Sequence, residues 1–256
     1  MPGRTGPIRR EDIARVRIIR PLAIETARKG KFYHGKMYLR PGSYLFEGMH
    51  RAQRVFIKRI SYFHGETSEP FSKYDREKAQ KEIEIRHQLK RLGLPVPKSL
   101  LWEVKSGKNR GIYLVTESFL RGKEKKSKLQ ALNPYYAEPD FLKKLNIENE
   151  NDRKLVSDLA RATATMLNHG IISYNFDFFG IYPRKDGKWN YQFMDTSDLE
   201  RSTDIKTIRD AKHLLLESVQ KGSGTRSRYD FWTMEKHTIY GLFDEVLEKH
   251  LRPELK

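Results

Sequence analysis

The order of strand-like and helix-like patterns limits what this chain can fold into more than any other feature of its sequence. Up to Glu117, short alternating patterns predict strands at 32–39, 43–48, 54–60, 100–104 and 111–117. One helix is predicted among them, from Asp75 to about Leu92, ending at Gly93. After Phe119, helices are predicted over 151–169, 204–221 and 230–250, with strands only at 171–172, 180–182 and 190–195. A sheet-rich half followed by a helix-rich half predicts an α+β fold with two lobes.

The chain of 256 residues has the length of one large domain or of two small lobes that share a cleft. We predict a basic N-terminal extension at 1–30, an antiparallel-sheet N-lobe at 31–118 and a mainly helical C-lobe at 119–256. Within the extension, the spacing of apolar residues from Glu11 to Arg28 predicts a basic amphipathic helix.

Positive charge dominates the composition, with 50 Lys and Arg against 33 Asp and Glu and a net charge of +17. Such a charge attracts polyanions, so we expect an anionic partner: a glycolipid, an anionic membrane surface or RNA. Lys123, Lys125, Lys126 and Lys128 form the densest basic cluster. Composition does not choose among these partners, and a basic surface that only keeps the protein in solution is the alternative.

The chain contains no cysteine, which excludes disulfides, thiolate metal sites and cysteine nucleophiles. No apolar run reaches the roughly 18–20 residues that a membrane span needs. The N-terminus also lacks the apolar core of a signal peptide. These features predict a cytoplasmic protein, with attachment to the inner face of a membrane through charge as an open alternative.

A lysine at the end of a predicted strand is the first residue with a chemical signature. Val55 to Lys58 reads Val-Phe-Ile-Lys and matches the V-A-I-K strand of kinases, whose lysine contacts the α and β phosphates of ATP. The helix that follows carries Glu82 and Glu84. Either carboxylate could hold the lysine amine at the phosphates; we favour Glu82, with Glu84 as the alternative.

The segment from Tyr113 to Phe119 combines an apolar strand with a polar end, as a hinge between two lobes would. Backbone groups around Glu117 and Phe119 are candidates for binding the adenine edge of a nucleotide.

Two later segments complete the pattern: His169 to Tyr182, and Tyr191 to Ser197 with Met194-Asp195. Together with Val55 to Ile60, Leu89 to Pro97 and Leu114 to Glu117, they make the chain resemble the heptose and Kdo kinases that phosphorylate the lipopolysaccharide core, within the protein-kinase-like superfamily. The resemblance covers about Lys31 to Asp210. It implies ATP and magnesium as cofactors, with Lys58 on the phosphates, Glu82 orienting it, and Asp195 as the aspartate that binds the metal.

The sequence departs from this family at two catalytic positions. Asn175 stands where the family has the catalytic aspartate, and an amide cannot accept the proton of a hydroxyl. Gly180 stands where a metal-binding Asn or His is expected, and it has no side chain. Asp177 is the candidate that could replace either group, as base or as metal ligand. The glycines Gly35, Gly42 and Gly48 also do not form the usual phosphate loop.

Three functions follow from these residues. The first is a kinase-like phosphotransferase that acts on an anionic acceptor such as a lipopolysaccharide-core sugar. The second is a pseudokinase that binds partners, with or without nucleotide, and does not transfer phosphate, as Asn175 and Gly180 suggest. The third, a nucleic-acid-binding protein on a kinase-like scaffold, depends on charge alone.

Overall fold

The computed structural model describes residues 16–21, 45–50, 53–59, 73–104, 111–117, 130–131, 142–184, 186–223 and 238–256. These residues form two compact units. The first comprises the described residues within Met1–Glu84 and Pro97–Lys123, and the second those within Ile85–Val96 and Glu124–Lys256. The predicted lobe boundaries at 31 and 119 stay a prediction.

An antiparallel sheet forms the centre of the first unit. Its strands are β1 (Val16–Pro21), β2 (Leu45–His50), β3 (Gln53–Arg59), β4 (Ser99–Val104) and β5 (Gly111–Glu117). They lie in the order β1-β2-β3-β5-β4, and every neighbouring pair is antiparallel. Helix α1 (Lys73–Arg91) follows β3 and confirms the helix predicted from Asp75 to Leu92.

The two faces of this sheet carry different apolar clusters, because alternate residues of a strand point to opposite sides. Tyr113 and Val115 of β5 pack with Ile57 on one face. Ile112 and Leu114 pack with Ala79 and Ile83 of α1 on the other face. The helix therefore covers one face of the sheet, and the strand register determines which residues of β3 lie on that face.

The helix predicted within Glu11 to Arg28 is wrong for residues 16–21, which form strand β1. This strand pairs with β2, with Val16 opposite His50 and Pro21 opposite Phe46. Val16, Ile18 and Ile19 are β-branched, and such side chains favour a pleated surface over a helix. Pro21 is accommodated because it ends a strand at the edge of the sheet. The strand predicted at 32–39 lies outside the described residues.

The second unit is mainly helical. Its helices are α2 (Glu150–Asn168), α3 (Ile205–Ser223) and α4 (Ile239–His250), with short 3-10 turns at Leu142–Lys144 and Pro253–Leu255. Helix α2 begins where the Asn149 side chain accepts hydrogen bonds from the backbone N–H groups of Asn151 (2.9 Å) and Asp152 (3.3 Å). These helices confirm the predicted helices at 151–169 and 204–221 and the later part of the one at 230–250.

Two small sheets complete the second unit. Strands β7 (Ile171–Ile172) and β10 (Glu200–Arg201) form an antiparallel pair. Strands β6 (Gln130–Ala131), β8 (Phe179–Pro183) and β9 (Trp189–Phe193) form the other sheet, in which β8 and β9 are a hairpin. The mixture of helices and antiparallel sheets confirms the predicted α+β class. No helix among the described residues is long and apolar enough to cross a bilayer.

Buried aromatic rings hold the β8–β9 hairpin against the helices. Phe176 contacts Phe178, Phe179 and the α4 residue Phe243, with ring centroids 5.1 to 5.5 Å apart. Phe193 of β9 stacks on Phe178 at 5.5 Å. All five rings are almost inaccessible to solvent. The loop between β7 and β8 is thus anchored by its phenylalanines, and its polar residues alternate with them.

Candidate functional site

Two aspartates lie at the same end of the β8–β9 hairpin. In this hairpin Phe179 is paired with Phe193, and the Met194 N–H donates to the Phe178 carbonyl oxygen at 2.8 Å. Asp177 comes directly before Phe178 and Asp195 directly after Met194, beyond the paired residues of β8 and β9. Both aspartates therefore lie at the same end of the hairpin.

Asp195 begins a turn that follows the hairpin. Its Oδ1 accepts hydrogen bonds from the Ser197 backbone N–H at 3.2 Å and from the Ser197 hydroxyl at 2.7 Å. Aspartates bond to the backbone two residues ahead in this way at many turns. The residue is nevertheless exposed, so its carboxylate is accessible to a ligand from solvent.

The loop from Ser173 to Phe178 has a fixed conformation. The Ser173 hydroxyl donates to the Asn175 carbonyl oxygen at 2.9 Å and accepts from the Asn175 N–H at 3.3 Å. The Phe176 N–H donates to the hydroxyl of Ser218 on α3 at 3.1 Å. Asn175 and Asp177 are half-buried, while Phe176 and Phe178 between and after them are buried. Within this loop, Asn175 and Asp177 are therefore more accessible to solvent than the phenylalanines that alternate with them.

Gly180 lies inside strand β8, opposite Gln192, rather than in the loop. A Cβ atom at this position would overlap with Cγ of Met194. A side chain at position 180 would thus displace the residue that precedes Asp195. The family resemblance predicts a metal ligand at position 180, but the Met194 side chain fills the space that such a ligand would enter. Asp177, not Gly180, lies at the same end of the hairpin as Asp195.

Lys58 lies on the face of the five-stranded sheet that α1 covers. It is opposite Leu114 in the β3–β5 register, and Leu114 packs against Ala79 and Ile83 of α1. Residues directly opposite in an antiparallel pair point to the same face. Lys58 is half-buried there, and Glu82 on the helix is only 2% exposed. The first unit thus places the predicted lysine and glutamate on the same side of one sheet.

The second candidate glutamate has a different environment. Glu84 is exposed, and its Oε1 accepts a hydrogen bond from the Gln80 amide at 2.9 Å. It therefore lies on the solvent side of α1.

Glu117 is the last residue of β5. Its N–H donates to the Lys98 carbonyl oxygen at 2.9 Å, and its carboxylate is 4.0 Å from the Lys98 ammonium in an exposed pair. Phe119 lies outside the described residues, as does the basic cluster at Lys123, Lys125, Lys126 and Lys128. The predicted hinge role of Glu117 and Phe119 stays a prediction.

Sequence reasoning did not single out Arg86 as a functional residue. It lies on α1 within the second unit, is 3% exposed, and its Nη2 donates to the Met194 carbonyl oxygen at 2.5 Å. The sequence shows Arg86 and His87 as alternatives for the buried stripe of the helix, and the structure buries Arg86 and exposes His87. The signal available was an arginine at helical spacing from the apolar residues Ala79 and Ile83.

The donor set at the hairpin end suits a hard cation. Carboxylate oxygens are the ligands that magnesium prefers, and it commonly takes one or two carboxylates together with substrate phosphates and waters. Among the residues that the structure describes, no cluster of three or more His, Cys, Asp or Glu side chains could hold a metal by itself. A pair such as Asp177 and Asp195 would need ligands from a bound nucleotide.

A comparison with protein-family models gives no match, and a comparison with curated proteins gives no significant match. Among solved structures, the chain is similar to the proinflammatory kinase CtkA of Helicobacter pylori, with 11% identity and a TM-score of 0.41, over 85% of this chain and 90% of that one. It is also similar to the choline kinase LicA of Streptococcus pneumoniae, with 14% identity and a TM-score of 0.33, over 80% and 79%. Both scores are low, so neither similarity establishes a shared fold.

Proposed function

We propose that this protein is a kinase-like phosphotransferase that binds ATP with magnesium. Asp177 and Asp195 would hold the metal, and Lys58, oriented by Glu82, would contact the phosphates. The observation that carries the proposal is the position of Asp177 and Asp195 at one end of the β8–β9 hairpin, given by the Met194–Phe178 hydrogen bond and the strand register. When bound, magnesium neutralises the phosphate charge that grows as the phosphoryl group leaves.

The first unit supports the role of Lys58. A carboxylate as deeply buried as that of Glu82 needs a charged or hydrogen-bonding partner, because desolvating an ion without one is costly. Lys58 points to the face of the sheet that α1 covers. It is also the cation that the kinase signature pairs with a glutamate of that helix. Glu84 is on the solvent side, which favours Glu82 as the residue that orients the lysine. That Lys58, Glu82 and Asp195 act on one nucleotide stays a prediction.

Asn175 limits the turnover that we expect of such an enzyme, because it stands at the position of the catalytic base. Its amide cannot serve as a general base, and the proposal assigns Asp177 to the metal rather than to the proton of the acceptor. Positioning and electrostatic stabilisation supply most of the catalysis in phosphoryl transfer, so slow turnover is compatible with this loop. The second candidate function, a nucleotide-binding pseudokinase, rests on Asn175, and the absence of any turnover would favour it.

The acceptor stays a prediction. The net charge of +17 supports an anionic acceptor or surface, such as a lipopolysaccharide-core sugar, an anionic membrane or RNA. If binding to each of these were negligible at low salt, the positive charge would serve solubility only.

The metal site is tested by measuring ATP affinity by calorimetry with and without magnesium. We expect Asp195→Asn and Asp177→Asn each to weaken the magnesium-dependent binding by about tenfold or more, equivalent to about 1.4 kcal/mol. The matched controls are Asp198→Asn, in the same turn as Asp195, and Asp186→Asn, at the opposite end of the hairpin. Equal affinities for all four variants would contradict the assignment of the metal site.

The lysine is tested in the same assay. Lys58→Met should weaken ATP binding by about 10- to 100-fold, because a hydrogen bond to a charged group contributes about 1.5–3 kcal/mol. Lys81→Met is the control, since Lys81 belongs to the same unit and lies exposed on α1. Unchanged affinity in Lys58→Met would show that the lysine is structural.

Turnover is measured separately, as release or transfer of the γ-phosphate. Binding with turnover that Asp195→Asn abolishes supports the enzyme, and binding without turnover supports the pseudokinase. If ATP does not bind with or without magnesium, the proposed function is wrong.

A further inference from the structure

Arg86 fixes the chain immediately before Asp195. We propose that it is a positioning residue for the metal site, acting through the backbone rather than touching the nucleotide; the inference rests on the proposed function. The residue is 3% exposed, and its guanidinium donates to the Met194 carbonyl oxygen at 2.5 Å. Met194 is the residue directly before Asp195.

Three hydrogen bonds hold the peptide groups that lead to Asp195. The Phe193 N–H donates to the Pro95 carbonyl oxygen at 2.9 Å, and the Met194 N–H donates to the Phe178 carbonyl oxygen at 2.8 Å. The bond from Arg86 to the Met194 carbonyl oxygen is the third. Strand pairing ends at Phe193, so this carbonyl lies beyond the regular ladder of the hairpin. Arg86 supplies the donor where the ladder has stopped.

The choice of arginine at this position is not explained by packing. Its helical neighbours Ile85 and Leu89 are buried in the apolar core of the second unit, where an aliphatic residue would avoid the cost of desolvating a charge. A guanidinium offers several donors in a rigid planar group at the end of a long side chain, and that geometry suits a distant backbone carbonyl.

The charge of Arg86 strengthens its contact with the Met194 carbonyl. Arginine stays protonated, so this hydrogen bond has an ionised donor. Such charge-assisted hydrogen bonds are stronger than those between neutral groups. Arg86 thus supports Asp195 by holding the backbone that precedes it.

The effect on the segment itself is measured by hydrogen exchange of residues 194–197 without any ligand. In Arg86→Met we expect the Ser197 amide, which is bonded to the Asp195 carboxylate at 3.2 Å, to exchange about tenfold faster or more. Arg91→Met, exposed at the end of the same helix, is the control and should leave this rate unchanged. An unchanged rate in Arg86→Met would overturn the proposal, whatever the nucleotide assays show.

The effect on the metal site is measured as the ratio of ATP affinities with and without magnesium. Arg86→Met should lower this ratio about tenfold while leaving the metal-free affinity unchanged, whereas a merely structural role would lower both affinities together. Arg86→Lys keeps the charge and should recover part of the ratio. If Arg86→Met fails to fold, Arg86→Lys alone is compared with the wild type, and its ratio should fall by less than tenfold. A Lys variant with the wild-type ratio and wild-type exchange would overturn the role of the guanidinium. If the wild type shows no magnesium dependence, the proposed function has failed, and the exchange measurement alone decides the positioning role.

Discussion

Replacing Gly170 by alanine should destabilise the protein more than its backbone dihedral alone explains. Gly170 follows helix α2 with φ +67, a conformation in which non-glycine residues are strained by about 1–2 kcal/mol. Its carbonyl oxygen accepts a hydrogen bond from the Ser202 N–H at 2.8 Å, next to the β7–β10 pair. A Cβ atom at Gly170 would overlap with the Ser202 carbonyl oxygen.

The overlap adds to the dihedral cost because a backbone atom cannot rotate away as the end of a side chain can. Overpacking of this kind typically costs about 1–3 kcal/mol. Adding the strain of about 1–2 kcal/mol gives an expected loss of about 2–5 kcal/mol for Gly170→Ala. This is a large part of the roughly 5–15 kcal/mol by which a domain is stable.

Gly187→Ala provides the matched control. Gly187 lies in the turn of the β8–β9 hairpin with φ +76, and no atom lies within 4 Å of the Cβ it would gain. We expect it to lose only the strain of about 1–2 kcal/mol. The free energy of unfolding of both variants is measured by urea denaturation followed by far-ultraviolet circular dichroism. If the two variants lost equal stability, the contact between Gly170 and Ser202 would not constrain the fold as the structure indicates.

Two further predictions concern the charged cluster between α3 and α4. Lys212 is buried and donates to Glu248 at 2.9 Å. Lys212→Met should therefore lower the free energy of unfolding, measured by urea denaturation, by about 2–3 kcal/mol, less than for a fully buried pair because Glu248 is partly exposed. Lys206→Met is the control and should have little effect, because Lys206 is exposed on α3. Burial, and then the nearby Glu248, raise the pKa of Asp244 above its usual value of about 3.9. Ionisation of Asp244 therefore destabilises the fold as the pH rises from about 4 through the raised pKa. Over that window the stability of Asp244→Asn relative to the wild type should increase, and the exposed Glu245→Gln is the control.

Periodicity predicted the elements of the second unit well. The helix expected at 204–221 is observed as Ile205–Ser223, and the strand expected at 180–182 lies within Phe179–Pro183. These segments are long or strongly patterned, so local sequence and tertiary packing favour the same structure. Around β1, by contrast, the sequence spacing of Val16, Ile19 and Ala23 fits a helix, while the β-branched side chains of the strand favour a sheet. Pairing with β2 decides between them, and that partner is not visible from the segment itself.

The sequence indicated the types of residue at the candidate site but not their surroundings. Lys58 was identified by its strand motif, and the choice between Glu82 and Glu84 depended on which side of α1 packs on the sheet. Adjacent helical positions differ by about 100 degrees, so an error of one residue in the buried stripe exchanges a buried charge for an exposed one. The same uncertainty concealed Arg86, because its partner is the Met194 carbonyl, 108 residues away and without a side-chain signature.

The point at which strand β8 begins determines which polar residue of the loop lies at the end of the hairpin. Counting five residues from Asn175 leads to Gly180, which suggests a site that has lost its ligand. The structure starts the strand at Phe179 and places Gly180 opposite Gln192, where a Cβ would overlap with Met194. The last polar residue before the strand is then Asp177, at the same end of the hairpin as Asp195. In a loop that buried phenylalanines anchor, the residue at the end of the hairpin depends on where pairing stops rather than on a fixed spacing along the chain. Under the proposed function, Asp177 would supply the carboxylate that position 180 lacks, so Gly180 would not by itself exclude a magnesium site.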